Sequence, residues 1–398
     1  MAAIFSAASG AETLLLERTG DGGRKILISG GGRCNILPSR VDESRFVTDS
    51  SPHTLRKIVR SWPLREQIAF FESDAGIPLV EEAESAKLFP VSQSARDVRD
   101  RLYALARARG ASIRTNARVI GAAPGDDGWT IDLENAQPLR AGALIVATGG
   151  LSVPRTGSDG DGIRLLQRSG HVINPTYPAL TPLLSSPAPF AALSGVSLNV
   201  AISARSNERA ADARGGFLFT HHGYSGPSAL DVSHVAVRSL VDQKPATITV
   251  RWSPLDEAAW TAALKPQGPR TVLGAVGDVL PNRLAEALIS HAGLEPRMSL
   301  ATLTRKNRLQ LIDTLVRGVL PWTGPTIEEG YQKAEVTGGG VSLAEIDPRT
   351  MESRRAPRLF LCGEILDAFG PIGGYNFLWA WATGRAAGLA AAKSVELL

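Results

Sequence analysis

Only two cysteines, Cys34 and Cys362, occur in 398 residues, and they form no Cys-x-x-Cys pair. A thioredoxin-type redox disulfide is therefore not expected, and sparse cysteine fits a reducing compartment, here the cytoplasm. No apolar run reaches the length of a transmembrane helix, so no membrane partner is expected. The opening MAAIFSAASGAE lacks a positively charged leader and its apolar run is too short for a signal peptide. No His/Cys/Asp/Glu set has metal-ligand spacing. Asp159 and Asp161 resemble a calcium loop only superficially, because the remaining ligand positions are missing. A strong excess of either charge is also absent: 43 Lys and Arg face 39 Asp and Glu, for a net charge of +4. The densest basic run, Arg354, Arg355 and Arg358, reads as a solvated loop, and a nucleic-acid partner is not expected. Nothing in the sequence speaks to the oligomeric state.

What the chain has is length and glycine. A length of 398 residues exceeds one ordinary core and implies two or three domains. The 40 glycines cluster, as they do where backbone must approach a ligand closely. Residues 1–9 read as a helix stopped by Gly10, and 13–17 as a short buried strand ending in Glu17. Helix-prone text covers 51–75 and 95–110. Strands are expected at 117–122 and 129–134 around a Pro-Gly-Asp-Asp-Gly turn, and a fully apolar one at 143–147. The character changes near Tyr177 and Pro178. Val196, Leu198, Val200 and Ile202 then alternate with period two, and 217–220 and 246–252 read as further strands. Residues 255–322 turn helical, with helices expected at 277–293 and 303–320, the second presenting Leu309, Ile312, Val316 and Val319 on one face. Glycine-rich strand text resumes at Val336, and a small-residue helix closes the chain over 375–393. The layout predicts an α/β fold: a dinucleotide-binding domain of residues 1–178 and 346–398, interrupted by an insert of 179–345.

Glu17 ends a strand where such folds place the acid that binds ribose hydroxyls, about 20 residues after a glycine loop. A surface carboxylate would look the same. Counting back from Glu17 runs off the chain, so the first strand and its G-x-G-x-x-G turn are expected to be missing. The next motif is more informative. Gly30, Gly31 and Gly32 precede Arg33, Cys34 and Asn35. Three glycines in a row expose N–H groups with no Cβ in the way, suited to a planar ring or a phosphate. Arg33 can pair with phosphate, and Asn35 offers both a donor and an acceptor.

The run GRKILISGGGRCN resembles the signature of the aminoacetone-oxidase-like, bile-acid-reductase-like FAD-binding flavoproteins. Four further blocks match in order: ATGGLSVPRTGSDGDG, LFTHHGYSGPSALDVS, TGGGVSLAEIDPRTMES and LFLCGEILDAFGPIGGYNFLWAWATGRAAG. Together they cover essentially the whole chain. The resemblance implies FAD as cofactor and a Rossmann-like domain split by an insert with a β-barrel-like part and a helical part. It also implies that Thr148, Gly149 and Gly150 lie against the dinucleotide, with Val119 as a backbone contact beside the adenine. The family opens with a strand and glycine turn that precede the Met at which this sequence starts. A start codon assigned to an internal methionine is the preferred explanation, natural truncation the alternative. Weak FAD binding by this chain is the corresponding expectation.

With a flavin in mind, further residues acquire roles. Glu364 or Asp367, after Gly363, would accept hydrogen bonds from ribityl hydroxyls. Gly373, Gly374, Tyr375 and Asn376 begin the last helix, whose N-terminus would stabilise an anionic reduced ring. His221, His222 and Tyr224 are weak candidates for proton transfer, the first reading being a structural role at a strand end and turn. The expected activity is FAD-dependent hydride transfer between flavin N5 and a small organic substrate, with NAD(P)H as a possible transient donor. The alternatives are a non-catalytic remnant of the fold and a flavin-dependent RNA-modifying enzyme.

Overall fold

Two helices rich in small residues bring the chain ends together. Ala2–Ala8 packs along Tyr375–Val395. The contact is close enough that a Cβ at Gly384 would lie 3.1 Å from the Met1 Cβ, and one at Gly388 would collide with the Ala2 carbonyl. The Ala-Gly face of the closing helix is thus a packing surface. The computed structural model describes residues 1–396. They form two units, one of Met1–Thr176 with the chain from Val336 onward, the other Tyr177–Glu335.

In the first unit, Leu14–Leu16 pairs in parallel with Ser112–Arg114, and Leu144–Val146 in parallel with Leu359–Leu361. Between the first two strands runs Ala95–Ala108, capped where Ser94 accepts from the Asp97 N–H. That helix buries Val98, Leu102 and Ala106 at helical spacing. Parallel strands with crossing helices make this the Rossmann-like part. A three-stranded antiparallel sheet of Val119–Gly125, Gly128–Leu133 and Leu139–Ala141 follows, turning at the anticipated Pro-Gly-Asp-Asp-Gly segment. The 51–75 stretch is two helices, Pro52–Arg60 and Leu64–Ala69, because Pro63 breaks the first and starts the second. A second small sheet, Leu37–Pro38, Lys87–Pro90 and Leu79–Glu82, lies outside the strands expected from sequence.

The second unit is built on a six-stranded antiparallel sheet centred on Ser197–Arg205 and Ala210–Thr220. Val200, Ile202 and Ala204 bury one face of the former strand, in keeping with the period-two pattern. Pro227–Val241 packs on this sheet. It is buried almost all round, so it lacks the polar stripe by which a surface helix is recognised in sequence. Phe217, Phe219, Trp252 and Trp260 anchor the core. The helical part contains Val272–Gly277, Asn282–His291 and Arg305–Arg317. One expectation fails here. Leu309 and Val319 are exposed, and the buried stripe is Leu311, Ile312 and Leu315. Both sets satisfy helical spacing, and only the packing partner decides between them.

Candidate functional site

The three-glycine turn grows out of a short helix, Arg24–Ile28. Gly30, Gly31 and Gly32 all take left-handed φ values, +54°, +67° and +85°. At Gly30 an added Cβ would meet the Asn35 N at 2.9 Å, whereas at Gly31 and Gly32 it would meet nothing within 4 Å. The turn is therefore packed on one side and open on the other. Asn35 does not face that opening: its amide accepts from the Gly374 N–H at 2.9 Å and donates to the Leu37 carbonyl at 3.1 Å. This clamps the turn to the start of the last helix. A Cβ at Gly374 would sit 2.7 Å from the Pro38 N, so glycine there serves chain packing. Arg33 stacks 4.1 Å from the Phe89 ring centre and pairs with Glu82 at 3.0 Å. Cys34 is fully buried, and burial pushes its thiol up to about 11. Cys362 is pushed up to about 11 by the same cause. Both stay neutral thiols.

The other motif side chains are equally engaged. Glu364 Oε2 accepts from Lys25 Nζ at 2.5 Å, and its Oε1 accepts from Ser152 Oγ at 2.6 Å and the Thr337 N–H at 2.9 Å. Burial alone would raise this carboxyl, but Lys25 and the two hydrogen bonds outweigh it and hold it below the ordinary value. Asp367 is 1% exposed, and its Oδ2 accepts from Thr48 Oγ1, the Asp49 N–H, Ser50 Oγ and Asn174 Nδ2. Here burial wins and the carboxyl is raised, the hydrogen bonds offsetting it only in part. Tyr375 donates to the Arg40 carbonyl and accepts from the Asp42 N–H, while Asn376 brackets the Gly370 peptide. Gly363 is held at both ends, its N–H donating to Thr383 Oγ1 and its carbonyl accepting from the Trp379 indole. A Cβ at Gly363 would meet nothing within 4 Å, and one at Gly373 only the Lys87 side chain at 3.9 Å.

The loop after Leu144–Val146 spans the remaining distance. At Gly150 a Cβ would meet Thr337 and Glu364, and at Gly149 it would meet Ser158 Oγ at 2.8 Å. Thr148 lies against Gly162. At the far end Asp159 and Asp161 ion-pair with Arg18, and Asp161 also pairs with Arg118 and Arg164. Glu17 beside them accepts from the Thr19 N–H and hydroxyl through one oxygen. Val119 is half-buried at the head of its strand. The structure therefore brings 30–35, 148–152, 363–367 and 373–376 together, with Glu17 and Val119 at the Arg18 end of the connecting loop. The surfaces left open along this line are backbone, chiefly Gly31, Gly32, Gly363 and Gly373. Open glycine backbone of this extent fits an elongated cofactor carrying a planar ring and phosphates.

The histidine cluster lies in the second unit. Tyr224 is 1% exposed, stacked on Phe217 at 5.7 Å, and burial pushes its phenol well up. It is a core residue. His221 and His222 are exposed at the turn between two strands. Arg355 of the basic run pairs with Glu345 through two hydrogen bonds. Lys25 was not anticipated as a site residue. Its signal was indirect: a carboxylate inside the apolar run LFLCGEIL demands a buried cation.

Among the described residues, no helix is long and apolar enough to cross a membrane. The chain is 31% identical over 403 residues to the 3-dehydro-bile acid delta(4,6)-reductase of Clostridium scindens, covering 99% of this chain and 96% of that protein. It is 32% identical over 402 residues to the ribosomal RNA dihydrouridine synthase of Escherichia coli, covering 97% and 94%. Among solved structures, the 3-ketosteroid-delta4-(5alpha)-dehydrogenase of Rhodococcus jostii RHA1 aligns over 98% of this chain and 94% of that one, at 16% identity and a TM-score of 0.46. The family model described as HI0933-like protein Rossmann domain matches residues 1–390. With its FAD-type Rossmann unit and glycine-lined backbone site, the chain belongs to the HI0933-like family and is an FAD-dependent oxidoreductase.

Proposed function

We propose that this enzyme reduces a carbon–carbon double bond conjugated to a carbonyl group. The cofactor part of the reading is carried by the division of labour at the site, where nearly every motif side chain holds a turn in place and glycine backbone is left open, and the double-bond part by the names of the relatives. FAD bound at this site would supply hydride chemistry to the electron-poor carbon, with a nicotinamide as the source of the reducing equivalents. The chain's own residues bind and orient. Gly31, Gly32 and Gly363, with no side chain and open space beside them, would hold the cofactor against the backbone. The N-terminus of Tyr375–Val395, fixed through Gly374 and Asn35, adds partial positive charge. A proton from solvent completes the addition at the neighbouring carbon. The names of the two curated relatives, a delta(4,6)-reductase and a dihydrouridine synthase, both denote addition of two hydrogens to such a bond. Buried, neutral Cys34 and Cys362 suit a cytoplasmic location. The test is anaerobic: the FAD-loaded protein is reduced with NADPH or NADH and mixed with cyclohexenone or a 3-oxo-Δ4 steroid. Flavin reoxidation with formation of the saturated ketone is expected; no reoxidation by any conjugated enone would refute the reading.

A second reading applies the same chemistry to uracil within RNA. Between Glu295 and Asp313 the second unit carries Arg297, Arg305, Lys306 and Arg308 and no carboxylate. Three of these cations crowd the first turn of Arg305–Arg317, where the helix dipole disfavours positive charge. Conversion of uridine to dihydrouridine in an RNA oligonucleotide, read by mass spectrometry, distinguishes it from reduction of small enones alone.

A further inference from the structure

Glu364 sits where four chain segments meet. Lys25 comes from the helix leading into the three-glycine turn, Ser152 from the loop after Leu144–Val146, Thr337 from the Val336–Val341 strand, and Glu364 from the turn after Leu359–Leu361. Three of the groups close a ring. Lys25 Nζ donates to Glu364 Oε2 at 2.5 Å and to Ser152 Oγ at 2.6 Å, and Ser152 Oγ donates to Glu364 Oε1 at 2.6 Å. Each member is fixed by the other two. Thr337 ties in the rest: its N–H donates to Glu364, and its Oγ1 accepts from the N–H groups of Leu151 and Ser152 at 2.7 and 3.1 Å. The side chains are largely withdrawn from water, at 27% exposure for Lys25 and 17% for Glu364. Gly150 is part of the same packing, since a Cβ there would stand 3.0 Å from Glu364 Oε1.

We propose that Lys25 and Glu364 form a charged latch that sets the three-glycine turn against the 148–152 turn, making Lys25 a positioning residue for the cofactor site. The inference rests on the FAD reading only for its link to the cofactor; the latch itself is a property of this chain. The physical reason is asymmetry. A buried carboxylate is tolerated while a cation faces it, and becomes costly once that cation is gone. Lys25 leads directly through Ile28 and Ser29 into Gly30, so relaxation of the pair moves the turn. Among the described residues no second cation faces Glu364, whose other partners are the neutral Ser152 and Thr337.

The test uses the full chain as Lys25→Met, Lys25→Arg, Glu364→Gln and the double variant Lys25→Met/Glu364→Gln. Melting temperature without flavin and FAD affinity by fluorescence quenching are each followed from about pH 5.5 to about pH 8.5, a range that leaves an ordinary carboxylate ionised. In the unsubstituted chain Glu364 stays ionised throughout and adds no slope. In Lys25→Met the unpaired carboxyl titrates upward from its unfolded value. Stability from this group is then full at low pH and lost as pH rises. Relative to the unsubstituted chain, Lys25→Met is expected to melt progressively lower and to bind FAD about tenfold more weakly at the alkaline end, recovering toward the acid end. The double variant should restore a profile parallel to that of the unsubstituted chain, and Lys25→Arg should keep one. A Lys25→Met profile parallel to that of the unsubstituted chain, or a slope that Glu364→Gln fails to remove, would overturn the latch. If Lys25→Met does not fold, recovery of folding in the double variant supports the latch and its absence overturns it. Failure of the unsubstituted chain to bind FAD would count against the cofactor reading, and the melting curves would still decide the latch.

Discussion

Gly31 separates ligand contact from folding cleanly. Its φ of +67° is left-handed, and a Cβ there would meet no atom within 4 Å. Any non-glycine residue costs about 1–2 kcal/mol from that backbone conformation. This corresponds to roughly 2–4 °C in melting temperature per kcal/mol for a unit of this size. The penalty is common to Gly31→Ala and Gly31→Leu, because neither side chain has a protein neighbour to strike. Comparing the two variants cancels it. If the open side of the turn receives the cofactor, the three extra carbons of leucine must enter that space. The leucine variant should therefore melt within about 1 °C of the alanine variant, yet bind FAD at least about tenfold more weakly, or about 1.4 kcal/mol. Scanning calorimetry and titration of FAD fluorescence give both numbers on the same samples. Equal FAD affinity for the two variants would refute the assignment of this turn to the cofactor.

Gly374→Ala should behave oppositely, losing about 3 kcal/mol or more of stability, because its Cβ meets the Leu37–Pro38 backbone at a φ of +91°; a melting temperature unchanged from the parent would contradict this. For Asp367, whose carboxyl is raised by burial, the stability it confers is full below about pH 4 and falls as pH rises through its folded value. Asp367→Asn should remove that decline, and melting curves between about pH 4 and about pH 7 with the same slope in both proteins would show the premise to be wrong. Tyr224→Phe should change stability by less than about 1 kcal/mol and leave the rate of flavin reduction untouched. A slowed single-turnover reduction would move Tyr224 from the core into the chemistry.

Local pattern made part of this molecule legible. The opening helix, the 95–108 helix and the closing helix were readable from stops, caps and periodicity, and the glycine turn from its composition. The Pro227–Val241 helix was not, because burial on nearly all sides erases the amphipathic signal. The small sheet of Leu37–Pro38, Lys87–Pro90 and Leu79–Glu82 was not either, since two of its strands interrupt otherwise polar text and are recognisable only by their pairing. The motif residues themselves stood out, but the duties of their side chains did not. Asn35, Glu364, Asp367 and Tyr375 all look like ligand groups in sequence. Each has a partner more than 300 positions away: Gly374 for Asn35, Lys25 for Glu364, Ser50 for Asp367 and Arg40 for Tyr375.

That pattern says how such a site reconciles precision with access. A dinucleotide needs backbone at close range, and glycine supplies it, but three consecutive glycines have little conformational preference of their own. Their left-handed geometry must be imposed from outside. Here the imposing groups are the conspicuous polar residues around them: Asn35 on one flank of the turn, and Lys25 with Glu364 and Ser152 on the other. Side chains that would be taken for cofactor ligands are consumed in ordering the glycine backbone between them. Substituting one of them should therefore weaken FAD binding without removing a direct contact. The loss should track the order of the turn rather than the charge of the ligand. FMN and riboflavin should consequently lose affinity in parallel with FAD in Glu364→Gln, and retention of riboflavin binding alone would assign Glu364 a direct role toward the phosphates.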